Sequence, residues 1–161
     1  MSVEALFGLP AHPLIVHGAV VLLPMAAFAT IVCAAVPPLR RSYAPLALGV
    51  AVASTVAVFF AQESGEELSE RVRRTALVRD HIGMGNHVLP WAVGVVIVAA
   101  AITAVPYVAR TRPALAGTAA TIVIVVLALA VGGGATWSTV RVGHSGAKAT
   151  WSDDEVRARG R

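Results

Sequence analysis

Residues 14–36 read LIVHGAVVLLPMAAFATIVCAAV and contain no Asp, Glu, Lys or Arg. A helix of about 20 residues crosses the hydrocarbon core of a bilayer, so this stretch is long enough to span it. Lipid offers no hydrogen-bonding partner to the backbone, and only helices and closed barrels satisfy it there. Because the apolar run is continuous and shows no two-residue alternation, it predicts a transmembrane helix.

The same pattern recurs three times, at residues 43–61, 82–109 and 114–140. The whole chain of 161 residues is 57% hydrophobic and 14% charged, whereas a soluble domain carries about 25% charged residues. The 13 basic residues lie in loops and tails beside the ends of the spans, so they do not form a nucleic-acid-binding surface. We therefore expect an all-α integral membrane protein, multi-pass in the plasma (inner) membrane, rather than a disordered chain or a cytosolic enzyme.

The connections predict how the spans are arranged. Short basic turns, residues 37–42 and 110–113, join the first span to the second and the third to the fourth. Residues 62–80 predict an amphipathic helix on the membrane edge that opens with a capping box at Ser64. Residues 141–161 predict a polar tail. The whole chain is then one membrane domain, a four-helix up-down-up-down bundle.

In such a bundle the start of span one, the end of span two, the start of span three and the end of span four share one side. We call this side face A, and the side with the two basic turns face B. Face A carries nine Lys or Arg diluted among nine acids, so a simple count of basic residues favours face A as the cytoplasmic side. Face B carries four Arg and no acid, and no basic residue precedes the first span. Since the first helix usually sets the orientation, we expect face B in the cytoplasm and both termini outside it.

All five histidines fall on face A: His12, His17, His81, His87 and His144. His17 lies three residues inside span one and His87 five residues inside span three, so the two reach similar depths on parallel helices. Imidazole is a usual axial ligand of haem iron. The pattern predicts a membrane electron-transfer protein with b-type haem (haem b) between spans one and three, held by His17 and His87.

Four further residues belong to this predicted cofactor site. His12 and His81 are expected as hydrogen-bonding partners of the ligands or as substitute ligands. Gly18 and Gly133 are expected to leave room for a flat macrocycle between the helices, although small residues also serve close packing of membrane helices.

Two other interpretations stay open at this level. The first is a cofactor-free accessory or interaction subunit of a larger respiratory membrane complex, in which the histidines make interfacial hydrogen bonds. The second is a non-haem copper or zinc site formed by His12, His17, Met84 and His87. No catalytic motif is present. We therefore expect an electron carrier or accessory subunit rather than an enzyme acting by itself.

The sequence His12-Pro13-Leu14-Ile15-Val16-His17 resembles the "HPLLVH" start of the small bacterial membrane proteins catalogued as domain of unknown function 2231. The similarity continues through Gly65, Leu68, His81 and the Gly-rich end of span four. The ending GHSGAKATW resembles an actinobacterial subgroup.

This resemblance implies a four-helix membrane domain. Related domains are fused to Rieske-type or cytochrome c-type modules, which implies a redox partner of that kind, or quinone, in addition to the lipid bilayer. A homo-oligomer and a place in a larger complex both remain open. The haem ligands are inferred from the positions of the histidines and not from the resemblance.

Overall fold

The computed structural model describes residues 5–6, 9–72 and 75–159, with side chains for residues 12–72, 75–115 and 117–151. Two short antiparallel strands, β1 (Ala5–Leu6) and β2 (Leu9–Pro10), precede the helices. The helices are α1 (Ala11–Ala35), α2 (Pro37–Arg71), α3 (Ala76–Gly85), α4 (Val88–Val108) and α5 (Thr118–Arg159), with a 3-10 turn at Pro113–Ala116 before α5.

Four helical segments are long and apolar enough to cross a membrane: His12–Ala35, Pro37–Arg71, Ala76–Val108 and Thr118–Trp151. The third combines α3 and α4, which are separated only by the turn at Asn86 and His87. The prediction of an all-α membrane bundle is confirmed. Large side chains such as Phe28 and Ile97 are more than 60% exposed, as expected for helices that face lipid.

The helices extend beyond the predicted span ends. α2 continues through Ser64 to Arg71, so the predicted capping box at Ser64 is wrong. The edge helix begins instead at Ala76, where the Thr75 hydroxyl accepts a hydrogen bond from the Val78 backbone N–H. α5 also continues through the predicted tail as far as Arg159. A helix that leaves the bilayer keeps its internal hydrogen bonds, and each extension contacts another helix through a serine, Ser64 in α2 and Ser145 in α5.

The turn between α1 and α2, at face B, is tight because the side chain of Arg40 closes it. Pro37 and Pro38 begin α2 directly after α1, at positions where a missing N–H costs nothing. The Arg40 side chain folds back on α1 and is only 6% exposed. Its Nη2 donates to the Ala34 carbonyl at 2.9 Å and its Nε to the Cys33 carbonyl at 3.4 Å. These carbonyls belong to the last turn of α1, which has no partners of its own.

The bundle packs through small residues. α1 packs mainly against α2 and α5, and α4 packs against the same two helices, so α1 and α4 lie on a diagonal. The core consists largely of alanines, with Leu23, Val95 and Ile102 as its largest buried side chains. Within a membrane, helices associate through close packing of this kind rather than through the hydrophobic effect.

Candidate functional site

His12, in the first turn of α1, is held by the end of α2. Its Nδ1 lies 3.0 Å from the Ser64 Oγ, and the ring is half-buried. The next residue of α2 is Gly65, where a Cβ would lie 3.1 Å from the His12 Cε1. The ring therefore rests against α2 at a point where an added methyl group would require it to shift by a few tenths of an ångström.

His81, on α3, is held by α5 in the same way. Its Nδ1 lies 3.0 Å from the Ser145 Oγ, and this ring is also half-buried. The next residue of α5 is Gly146, where a Cβ would lie 2.9 Å from the His81 Cε1. The second half of the bundle thus repeats the arrangement of the first, with a histidine on the earlier helix and a Ser-Gly pair on the later one.

The repetition extends to individual atoms. At both glycines the order of the nearest ring atoms is Cε1, then Nδ1, then Nε2. In both halves the serine hydroxyl also contacts the carbonyl three residues before it, Ala61 for Ser64 and Val142 for Ser145. The two halves therefore orient their imidazoles by the same local geometry.

These contacts suit a proton on Nδ1 of each ring. The Ser64 hydroxyl lies 3.2 Å from the Ala61 carbonyl, and the Ser145 hydroxyl lies 2.9 Å from the Val142 carbonyl. A hydroxyl has a single proton, so a serine that donates to its carbonyl accepts from the imidazole. In that arrangement Nδ1–H is the donor in both rings. In the neutral imidazole, Nε2 keeps its lone pair and is free to act as a ligand or a base.

Both imidazoles lie at face A, one in each half of the bundle. A hydrogen bond of 2.8 Å from the Gln62 side-chain amide to the Gly85 carbonyl joins α2 to the end of α3 beside them. Both histidines, together with Ser64, Gly65, Ser145 and Gly146, form what we call the paired-imidazole site.

His17 and His87, the two ligands favoured by the sequence, are placed differently from His12 and His81. The rings of His17 and His87 are exposed. The His17 Nδ1 is hydrogen-bonded to the Pro13 carbonyl of its own helix. His87 lies in the turn just before α4. None of the contacts recorded in the described part of the chain joins His17 to His87.

Gly18 and the triple glycine at residues 132–134 divide into two groups by their contacts with neighbouring side chains. Gly18 and Gly133 have nothing within 4 Å of the position that a Cβ would take, so they touch no neighbouring helix. Gly132 and Gly134 are the packing residues of the triple glycine: a Cβ would meet the Ile31 side chain at Gly132 and the Trp91 ring at Gly134.

No group of three or more His, Cys, Asp or Glu side chains with a geometry suited to a metal ion occurs among the residues that the structure describes. The copper or zinc interpretation, which needs several such ligands, therefore gains no geometric support.

The sequence suggested only that the turn His144-Ser145-Gly146 caps the bundle or closes over a cofactor; it gave Gly65 no site role and gave Ser64 the role of a helix cap. A signal for them was nevertheless present. Ser-Gly occurs at positions 64–65 and again at 145–146. The first pair follows span two, and His12 lies at the start of span one. The second pair follows span four, and His81 lies at the start of span three. Comparing the two halves of the chain with each other would have matched the pairs, since repeated segments adopt repeated structures.

The chain matches the family described as predicted membrane protein (DUF2231) over residues 8–157, a range that includes nearly all of the five helices. No curated protein and no solved structure matches the chain.

Proposed function

Since this chain belongs to the DUF2231 family of predicted membrane proteins, we propose a function from the chemistry of its own residues. It is a membrane electron carrier that binds b-type haem at face A. The axial ligands are Nε2 of His12 and Nε2 of His81, the pair that the sequence suggested as substitute ligands.

One observation carries this proposal: the Nδ1 of each imidazole lies within hydrogen-bond distance of a serine oxygen, at 3.0 Å in both halves. A histidine that ligates a metal almost always donates its other ring N–H to an acceptor, which sets the tautomer and the orientation of the ring. Here both rings have such an acceptor, and both keep a lone pair on Nε2.

The surroundings of the two rings hold them in place. Gly65 and Gly146 have no side chain, so α2 and α5 approach the imidazoles closely and fix their position. Haem supplies a one-electron change between ferric and ferrous iron. The protein residues hold the ligands in one tautomer.

His17 and His87 are less suited to this role because their rings are exposed on the outside of the helices. A ligand for a haem between helices has to point into the bundle. These two histidines therefore serve as matched controls: they have the same chemistry and the same membrane face, but lie outside the paired-imidazole site.

The site lies on the side that carries both termini. With face B in the cytoplasm, the orientation expected from the basic residues that directly follow the first span, the haem would be near the extracytoplasmic surface. It is then positioned to exchange electrons with a Rieske-type or cytochrome c-type protein, or with quinone in the bilayer.

The test is the absorption spectrum of the detergent-purified protein from haem-replete cells, first oxidised by air and then reduced with dithionite. We expect a Soret band that shifts on reduction and a sharp α band. His12→Ala and His81→Ala are expected to lose this six-coordinate spectrum, while His17→Ala and His87→Ala keep it.

Two results would overturn the proposal. A colourless wild-type protein would remove haem altogether, and its copurification with a larger complex would favour the accessory-subunit interpretation. A spectrum that survives in His12→Ala and His81→Ala but is lost in His17→Ala would show that the other pair ligates the iron.

A further inference from the structure

An apolar groove opens on the outside of the bundle at face B, between α4 and α5. Its volume is about 430 Å³, and every residue that lines it is apolar. The walls are formed by the last turns of α4, the 3-10 turn and the first turns of α5, and they include Ala101, Ala104, Val108, Leu115, Ala120 and Ile124. From Ala101 to Val108 the groove follows α4 for about 10 Å.

The membrane-surface end of the groove is basic. Arg110 and Arg112 lie in the turn between α4 and the 3-10 helix, and both are exposed. The Arg110 guanidinium stacks over the Tyr107 ring, with Cζ 5.8 Å from the ring centroid. A guanidinium in such a cation–π contact keeps N–H groups that can donate to a phosphate.

We propose that this groove is a binding site for an anionic phospholipid. One acyl chain lies in the apolar groove, and Arg110 and Arg112 bind the phosphate and the anionic headgroup. The two halves of the site match the two halves of such a lipid in polarity and in depth, because the arginines are at the membrane surface and the groove runs from them into the hydrocarbon.

The charges argue against a second copy of the chain as the occupant. A two-fold contact through this face would bring the same patch of both copies together. Arg110 and Arg112 would then meet their own counterparts, and neither basic turn of face B contains an acid to offset them. Like charges placed against each other disfavour such a contact.

The experiment is native mass spectrometry of the full-length protein released from detergent micelles, with added phosphatidylglycerol or phosphatidylcholine carrying identical acyl chains. Three variants accompany the wild type. The double variant Arg110→Gln/Arg112→Gln removes the headgroup site, Ala104→Phe fills the groove, and Arg141→Gln removes an exposed arginine from face A as a matched control.

We expect the wild type to retain phosphatidylglycerol more strongly than phosphatidylcholine by about tenfold to thirtyfold. The double arginine variant should lose this preference, Ala104→Phe should retain less of both lipids, and Arg141→Gln should behave as the wild type.

Equal retention of the two lipids by the wild type, or an undiminished preference in the double variant, would overturn the proposal. A dimer that Ala104→Phe dissociates would assign the groove to a second copy instead. Because the arginines are exposed, the double variant tests the site even if Ala104→Phe fails to fold.

Discussion

Replacing Gly146 with alanine tests how tightly α5 holds the His81 ring. A Cβ at this position would lie 2.9 Å from the ring Cε1, 3.3 Å from Nδ1 and 3.5 Å from Nε2. Real Cβ atoms do not approach other atoms as closely as 2.9 Å, so the ring has to move. It can do so by rotating its side chain, but the rotation breaks its hydrogen bond of 3.0 Å to the Ser145 Oγ.

The control is Gly143→Ala on the same helix, because Gly143 is exposed and has nothing within 4 Å of its Cβ position. Alanine in a helix is more stable than glycine by about 0.8–1.0 kcal/mol, and Gly143→Ala should gain that amount. Gly146→Ala should gain it too, but it loses a hydrogen bond that contributes about 0.5–1.5 kcal/mol and displaces a packed ring at a further cost of about 1 kcal/mol. The two variants should therefore differ by about 1.5–2.5 kcal/mol.

The free energy of unfolding is measured by equilibrium denaturation in detergent micelles, with circular dichroism as the signal and with the wild type, Gly143→Ala and Gly146→Ala side by side. Gly143→Ala should be more stable than the wild type and Gly146→Ala less stable. If Gly146→Ala were as stable as Gly143→Ala, the contact between His81 and α5 would not exist in the form described, and the argument for the tautomer of His81 would fail with it.

Three further variants test separate parts of the structure. Gly134→Ala pushes a methyl group into a packed indole ring, so it should lower the thermal midpoint of unfolding relative to Gly133→Ala, whose methyl group meets open space; equal midpoints would refute the contact. Arg40→Ala leaves two carbonyls at the end of α1 without their donor and should cost about 1–3 kcal/mol of unfolding free energy, whereas the exposed neighbour Arg41→Ala should stay within about 0.5 kcal/mol. Ser64→Ala removes the acceptor of one imidazole and should weaken haem binding by about 10-fold to 100-fold in a titration of the apoprotein; unchanged affinity would separate that serine from the site.

The four-helix fold was predictable because the bilayer leaves so few alternatives. A stretch of about 20 residues without a charge can only be a helix in lipid, and residues 14–36 and 114–140 are such stretches. The ends of the helices were not predictable by the same rule. Outside the hydrocarbon, a polar segment can either continue a helix or end it. α2 continues for about ten residues beyond the predicted end of its span, and α5 continues for about twenty.

The depth of the histidines in the membrane was predictable from the sequence. The direction in which each side chain points around its helix axis depends on helix geometry and packing. Successive residues of an α-helix are separated by about 100°, so His17 points about 140° away from His12 on the same helix. Two residues with that spacing cannot both face the inside of a bundle. Which of the two faces inward depends on how α1 packs against α2. The contact between His12 and Gly65 that decides it joins residues 53 positions apart.

The use of serine in both halves of the site has a chemical consequence. A carboxylate at the position of Ser64 or Ser145 would also accept the Nδ1 proton, but its charge would favour a second proton on the ring and remove the lone pair from Nε2. A serine hydroxyl that already donates to a backbone carbonyl is a neutral acceptor. It holds the imidazole in one tautomer without charging it, at an edge of the membrane where a charged group is costly. Both serines lie within hydrogen-bond distance of such a carbonyl, so the proposed site has a neutral acceptor for each imidazole.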